Sequence, residues 1–360
     1  MITIQAALLI IIGILLFELI ILSHEFGHFI CAKKSGVLVH EFALGMGPKL
    51  WGFKKGETQY SLRLLPIGGF CKMEGEDEES DSPRAFGNAK VWQRMIIVVA
   101  GAFMNVLLGI LLMFILVVQE PYYASTTIES FHENSRSATQ GLQVGDRLVS
   151  FDGYKINTSR DFSYSLGTMK TYSPNIKVER DGEIVDLGNV TFDTTTDSSG
   201  RTYISLDFYV EPIERSFTSV ISQTFKQTYS VVRMIWASLI GLVTGQFTMN
   251  DVSGPIGAAS AITEATSMGL ETGFLDGLNN LLFMLMVISV NLGIFNMLPV
   301  PALDGGRFFF LIIEAIRRKP IPPKYEGLVH TIGFIILILF MIVVSLNDVV
   351  RLFNGTGFAG

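Results

Sequence analysis

Cysteine is almost missing from this 360-residue chain, with Cys31 and Cys71 the only two. They are too few and too far apart for a disulfide framework or a cysteine-held zinc, and they read as small core residues on the reducing side of a membrane. Charge is scarce as well: 17% of residues are Asp, Glu, Lys or Arg, against about a quarter in soluble domains. No basic stripe stands out from the net charge of −6, which argues against nucleic acid as a partner. The two halves show no paired or inverted repeat, which argues against a repeat-built transporter. The first apolar run has no basic start and no Ala-x-Ala-like site, so it reads as a retained anchor and not a cleaved signal peptide.

Apolar sequence fills the gap, at 49% of the chain, and marks an integral membrane protein with a sizeable polar portion. Four segments are long enough, or nearly so, to cross a hydrocarbon layer of about 30 Å. They run from Ile4 to about Cys31, from about Met95 to Val118, from near Leu281 to Leu298, and from about Ile332 to Leu346. Residues 32–94 hold ten Lys and Arg, and Arg307, Arg317, Arg318, Lys319 and Lys324 lie between the last two spans. Residues 119–280 hold eleven basic against nineteen acidic residues. The positive-inside rule therefore puts the two basic stretches in the cytoplasm, and the acidic region and both termini outside.

The expected architecture is a four-span α-helical membrane protein with a β-hairpin or sheet at residues 37–73 and a strand-rich outer domain. In that domain "TTIESF" predicts a strand, "GLQVGDRLVSFDGYKI" two strands around an Asp-Gly turn, "DFSYSLGTM" a short helix, and "NIKVERDGEIVDL" a hairpin turning at Asp181-Gly182. Residues after Pro212 predict an amphipathic helix lying at the interface, since Lys226 and Arg233 interrupt its apolar face. The chain divides into a first membrane part (1–118), the outer domain (119–211), an interfacial helical linker (212–280) and a second membrane part (281–360).

The chemistry is concentrated in "SHEFGH" at the end of the first span. His24 and His28 sit one helical turn apart, on one face, as two corners of a tetrahedral zinc site require. Glu25 flanks that site as a general base. Three ionisable residues within five positions of a span are costly unless they serve a function. His24 precedes the Lys33–Lys34 pair by about 13 Å of helix, so the site lies in the membrane, toward the cytoplasm. A third ligand is needed, and Glu18, His40, Glu41, His132, Asp304 and His330 are the candidates. Asp304 is favoured. It follows "NMLPVPAL", where Pro299 and Pro301 stop the third span and leave irregular backbone that must line a polar cavity. Glu18, seven residues before Glu25, shares its helix face and reads either as a group that lines a water path to the metal or tunes Glu25, or as a protonated, hydrogen-bonded core acid. Asn105 and Asn291 read either as amides that hold a substrate or, preferred here, as span-to-span hydrogen-bonding groups.

The motif His24-Glu25-Phe26-Gly27-His28, with Asn296-x-x-Pro299-x-Pro301-x-Leu303-Asp304-Gly305 closing a later span, resembles the site-2 intramembrane zinc proteases. The likeness is greatest to the bacterial regulators of anti-sigma-factor proteolysis, and "LGMGPKLWG", "LRLLPIGGFCKMEGEDEE", "AGAFMN" and the PDZ-like "ENSRSATQGLQVGDRLVSFDGYKI" extend it over nearly the whole chain. Some relatives carry two PDZ modules, and residues 119–211 have room for one. The resemblance implies one Zn2+ per chain held by His24, His28 and Asp304, with Glu25 as base and then proton donor. It also implies substrate backbone held by Asn296 and the Pro299–Pro301 segment. The implied activity is endoproteolysis within or near the transmembrane segment of single-span proteins, of anti-sigma-factor or signal-peptide-remnant type, after an upstream site-1 cleavage. The implied location is the bacterial cytoplasmic membrane. The rival readings are a scaffold with a dead metal site and a metal transporter.

Overall fold

The computed structural model describes residues 4–353, except 77, 79, 170, 197–201 and 249–251. In chain order the elements are α1 (Ile4–Lys34), β1 (Val39–Lys55), β2 (Thr58–Met73), α2 (Val91–Gln119), β3 (Tyr122–Phe131), α3 (Arg136–Thr139), β4 (Arg147–Phe151), β5 (Tyr154–Lys155), α4 (Ser159–Thr168), β6 (Asn175–Arg180) and β7 (Glu183–Asn189). They continue with β8 (Asp193–Thr196), β9 (Thr202–Ser205), β10 (Phe208–Glu214), α5 (Phe217–Val243), α6 (Pro255–Thr272), α7 (Phe274–Asn296), α8 (Asp304–Arg317) and α9 (Pro323–Phe353). Two units form: Met1–Leu112 with Ile240–Gly360, and Met113–Leu239.

Among the described residues four helices are long and apolar enough to cross a membrane, namely α1, α2, α7 and residues Tyr325–Phe353 of α9. The helices outrun the apolar windows read from the sequence: α7 begins at Phe274 and α9 at Pro323. Hydropathy registers only the part that lipid would cover, whereas backbone hydrogen bonding carries a helix on through polar turns. Helix α1 stops at a left-handed Gly36 (φ 81°), where the Val37 amide bonds back to the Ala32 carbonyl, a glycine C-cap that satisfies the last carbonyls. Leu9, Ile20, Leu281 and Leu285 pack α1 against α7. A second apolar cluster joins Ala32, Val39, Cys71, Ile97 and Leu311 from α1, the sheet, α2 and α8.

The β1–β2 hairpin folds back on itself. Glu41–Leu44 pair with Lys72–Gly69 on one side and with Gln59–Leu62 on the other, while Trp51–Lys55 pair with Leu62–Thr58. Gly69–Met73 therefore forms an outer edge of this sheet. That edge lies on α1: a Cβ at Gly69 would stand 3.6 Å from Glu25 Cγ and 3.8 Å from Ile21 Cγ2.

The other unit is built on an antiparallel sheet in the order β10-β3-β4-β6-β7, with β5 added to β4. Both Asp-Gly turns take left-handed geometry at each residue, Asp152 (φ 49°) with Gly153 (φ 80°) and Asp181 (φ 53°) with Gly182 (φ 84°), as two-residue hairpin loops require. Ile128, Leu148, Phe151, Ile176, Val178 and Phe192 form the core. Strand β10 continues through Pro212, which lies opposite Ala124 of β3. The sequence reading stops the strands before Pro212, but an edge strand tolerates proline because its outward side needs no amide donor. Helix α5 is tied to this unit, since Ser230 Oγ donates to Asp161 Oδ2 (2.9 Å) and Arg233 donates to Asp161 and to the Lys155 carbonyl.

Asp207 closes the loop before β10, accepting from the Ser137 amide (2.9 Å) and hydroxyl (2.6 Å) at α3. Burial pushes its carboxyl up, but the bonds from Ser137, Ser135 and Arg136 outweigh burial and hold it below the usual carboxylate value. A depressed folded value means that stability is present above the unfolded pKa of about 3.9 and is lost as pH falls through the folded one. Asp207→Asn is expected to cost this unit about 1–3 kcal/mol at neutral pH and to flatten its acid dependence. Hydrogen exchange at the α3 amides between pH 3 and 7 measures both effects.

Candidate metal centre

Helices α1 and α2 approach at glycine. A Cβ at Gly27 would lie 2.3 Å from the Ala100 carbonyl oxygen, and one at Gly101 would lie 2.4 Å from His28 Nε2 and 2.8 Å from His24 Cε1. The two imidazoles, 8% and 9% exposed, stack edge to face with centroids 4.8 Å apart. They occupy the space that the missing side chain leaves.

Asp304 reaches them from the first turn of α8. The loop from Met297 to Leu303 is folded tightly onto that turn. A Cβ on Gly305 would fall 2.1 Å from the Leu298 carbonyl oxygen, and one on Gly306 would fall 2.6 Å from that of Val300. Ala302 takes a positive φ of 76°, and its amide donates to His330 Nδ1 on α9 (2.9 Å). Pro301 packs on α9 at Gly333, where a Cβ would meet it at 2.3 Å. The two prolines thus shape a braced turn that sets the position of Asp304.

His24 Nε2, His28 Nε2 and Asp304 Oδ2 form a triangle with sides of 3.0, 3.2 and 3.3 Å. Tetrahedral bonds of 2.0–2.1 Å to a zinc ion imply ligand separations of about 3.3 Å. Asp304 Oδ2 is buried with no hydrogen-bond partner, and His28 donates its other ring nitrogen to the Ile97 carbonyl (2.8 Å). With Nε2 unprotonated on both rings, lone pairs would converge on one point, and a cation there would remove their repulsion. Two neutral imidazoles and a carboxylate are a zinc donor set. Among the described residues it is the only group of three or more such side chains that could hold a metal.

Glu25 lines the same cavity, of about 1090 Å³, together with Phe70–Met73 of the β2 edge, Ala302, Leu303 and Arg307. The Cys71 main-chain amide faces its carboxylate. Asn296, the last residue of α7, brings Nδ2 to 3.4 Å from His24 Nε2. Glu18 is 7% exposed and lies with its carboxylate beside the Gly68 backbone. The other ligand candidates are engaged elsewhere: His40 with Glu74, Glu41 with Ser61 and Arg63, and His132 against the Tyr209 ring.

Two residues near the triangle were not singled out for it by the sequence reading. Gly101 and Asn105 stand one helical turn apart in "GAFMN", and Asn105 lies against His24 with Nδ2 3.3 Å from Nδ1. The available signal was a small residue and an amide at i, i+4 spacing in an otherwise apolar span.

The family model for peptidase family M50 matches residues 12–340. A Clostridium perfringens protein named as a zinc metalloprotease is 38% identical over 343 residues, covering 95% of this chain and 98% of that one. The regulator of sigma-W protease of Bacillus subtilis is 31% identical, covering 94% and 98%. A Fusobacterium nucleatum protein also named as a zinc metalloprotease is 30% identical, covering 95% and 99%. The Bacillus alignment extends over 422 positions, more than this chain has residues, so that relative carries segments this chain lacks.

Proposed function

The chain belongs to peptidase family M50 and is a zinc metalloprotease, and from that premise we propose that it hydrolyses peptide bonds within or beside the transmembrane segment of single-span proteins. The observation that carries this reading is the buried ligand triangle opening, at Glu25, onto a cavity bordered by a strand edge. His24, His28 and Asp304 hold the zinc, which supplies Lewis-acid polarisation when bound. Glu25 takes the proton from the attacking water and delivers it to the departing amide nitrogen.

A substrate helix hides its carbonyls in its own hydrogen bonds and must open before attack. Unpaired amides in a low-dielectric medium cost several kcal/mol each, so the opened segment needs new partners. The Gly69–Met73 edge offers them by strand addition, and Asn296 with the Pro299–Pro301 turn closes the other side. Glu18 lines the approach of water along the α1 face.

We read 1–118 and 281–360 as the catalytic membrane parts, 119–211 as a PDZ-like module outside the cytoplasmic membrane, and 212–280 as an interfacial helical linker. The charge asymmetry of the loops supports that orientation. The antiparallel sheet with its short helix α4 supports the module. The substrate class is anti-sigma factors or signal-peptide remnants already shortened by an upstream site-1 protease, with the module screening out bulky outer portions.

The test uses the full chain, purified and reconstituted, with single-span substrates bearing trimmed or bulky outer domains. Trimmed substrates are expected to be cut in or next to the span. Activity is expected to vanish on metal chelation and to return with one zinc per chain. Cleavage that persists in metal-stripped protein, or a zinc-loaded protein that cuts no trimmed substrate, overturns the reading.

A further inference from the structure

The two histidines of the triangle differ in what holds their second ring nitrogens. For His28 the matter is settled by chemistry: a carbonyl oxygen only accepts, so the 2.8 Å contact to Ile97 requires a proton on Nδ1 and leaves the Nε2 lone pair facing the ligand triangle. His24 must do the same if its Nε2 is to bind metal, and its Nδ1–H then needs an acceptor.

The group that stands at His24 Nδ1 is the Asn105 carboxamide, at 3.3 Å. Asn105 is completely buried. With Nδ2 toward the imidazole, a donor faces a ring nitrogen that must itself donate, and Asn105 Oδ1 is left buried with no partner. Oxygen and nitrogen of a carboxamide are assigned from the hydrogen-bond network. Turning the amide by half a rotation removes the donor clash and gives the orphaned oxygen a partner in one move. The backbone beneath is held in place, because Ser289 Oγ on α7 donates to the Asn105 carbonyl (2.8 Å), and a Cβ on Gly293 of α7 would stand 3.5 Å from Asn105 Cβ.

We propose that Asn105 is the positioning residue for His24: its carboxamide oxygen accepts Nδ1–H, holding the tautomer that presents Nε2 to the metal. This inference rests on the metal-centre reading above. Groups in this outer position change metal affinity about 10- to 100-fold when lost. Asn105 thereby does for His24 what the Ile97 carbonyl does for His28, with a side chain where the other uses backbone.

The test measures zinc affinity of the full-length chain by competition with a chelator, beside the cobalt-substituted absorption spectrum. The variants are Asn105→Leu, which keeps the branched outline and removes the acceptor, and Asn105→Asp, which keeps an acceptor. Asn105→Leu is expected to lose affinity 10- to 100-fold with an altered cobalt band, and Asn105→Asp to stay near wild type in both. The metal-free melting temperature separates this from a simple helix-to-helix bond. If Asn105→Leu lowers the metal-free and zinc-loaded melting temperatures equally, or binds zinc as the wild type does, the proposal is overturned. It is overturned as well if Asn105→Asp loses zinc along with Asn105→Leu. A wild type that takes up no zinc instead sinks the metal-centre reading itself.

Discussion

Glu25→Gln is expected to leave one zinc per chain and to slow cleavage of a trimmed single-span substrate by about a thousandfold or more. The substitution keeps the side chain's size and its place under the β2 edge, where a Cβ at Gly69 would stand 3.6 Å from Cγ. It removes the negative charge and with it the capacity to take up a proton. General acid–base groups contribute about 10²–10⁴, and on the proposed mechanism one carboxylate serves both proton transfers, so the upper part of that range is expected. Single-turnover rates with matched zinc content give the comparison. Equal rates in the two proteins remove Glu25 from the mechanism, and loss of zinc from the variant makes it a ligand.

Gly101→Ala is expected to be as damaging, although it adds one methyl group to a residue with no chemistry of its own. The new Cβ would fall 2.4 Å from His28 Nε2, 2.7 Å from His28 Cε1 and 2.8 Å from His24 Cε1. Neither ring can yield without leaving the triangle, and His28 is pinned from behind by the Ile97 carbonyl. Zinc affinity should fall by about a hundredfold or more, beyond the range of lost outer-shell contacts, and cleavage should fall with it. Gly13→Ala is the control, since its Cβ would meet Leu281 Cδ1 at an ordinary 3.4 Å. Zinc content after gel filtration in a chelating buffer distinguishes them. A Gly101→Ala protein that retains its metal would show that α1 and α2 can separate at little cost.

What could be read beforehand divides by range. Two imidazoles one turn apart on a helix is a local relation, and the spacing of His24 and His28 conveys it. The break before Asp304 is local too, because two prolines and a Gly-Gly pair announce irregular backbone. The Asp-Gly turns of the outer sheet follow from residues that accept positive φ. The partnership of Asn105 with His24 is not local: it depends on how α2 is rotated against α1, and an amide in a span reads the same whether it faces a neighbour's backbone or a ligand. Gly101 is silent for the same reason, since a glycine in an apolar helix signals only that something comes close. The doubled pairing of Glu41–Leu44 was hidden because Gly45, Gly47, Pro66, Gly68 and Gly69 blur the alternation that strands normally show. The strand through Pro212 was hidden by a residue usually taken as a stop.

The triangle joins parts of the chain made far apart in time. His24 and Asn296, which meet at 3.4 Å, are 272 positions apart, and Asp304 is synthesised later still. A nascent polypeptide therefore carries its base and two imidazoles through most of its membrane insertion without a third donor, and two imidazoles alone do not make a catalytic site of this kind. Only when the turn after α7 has folded back and α8 has been laid down is the centre complete. On the proposed metal site, a chain released before that turn would lack the third donor.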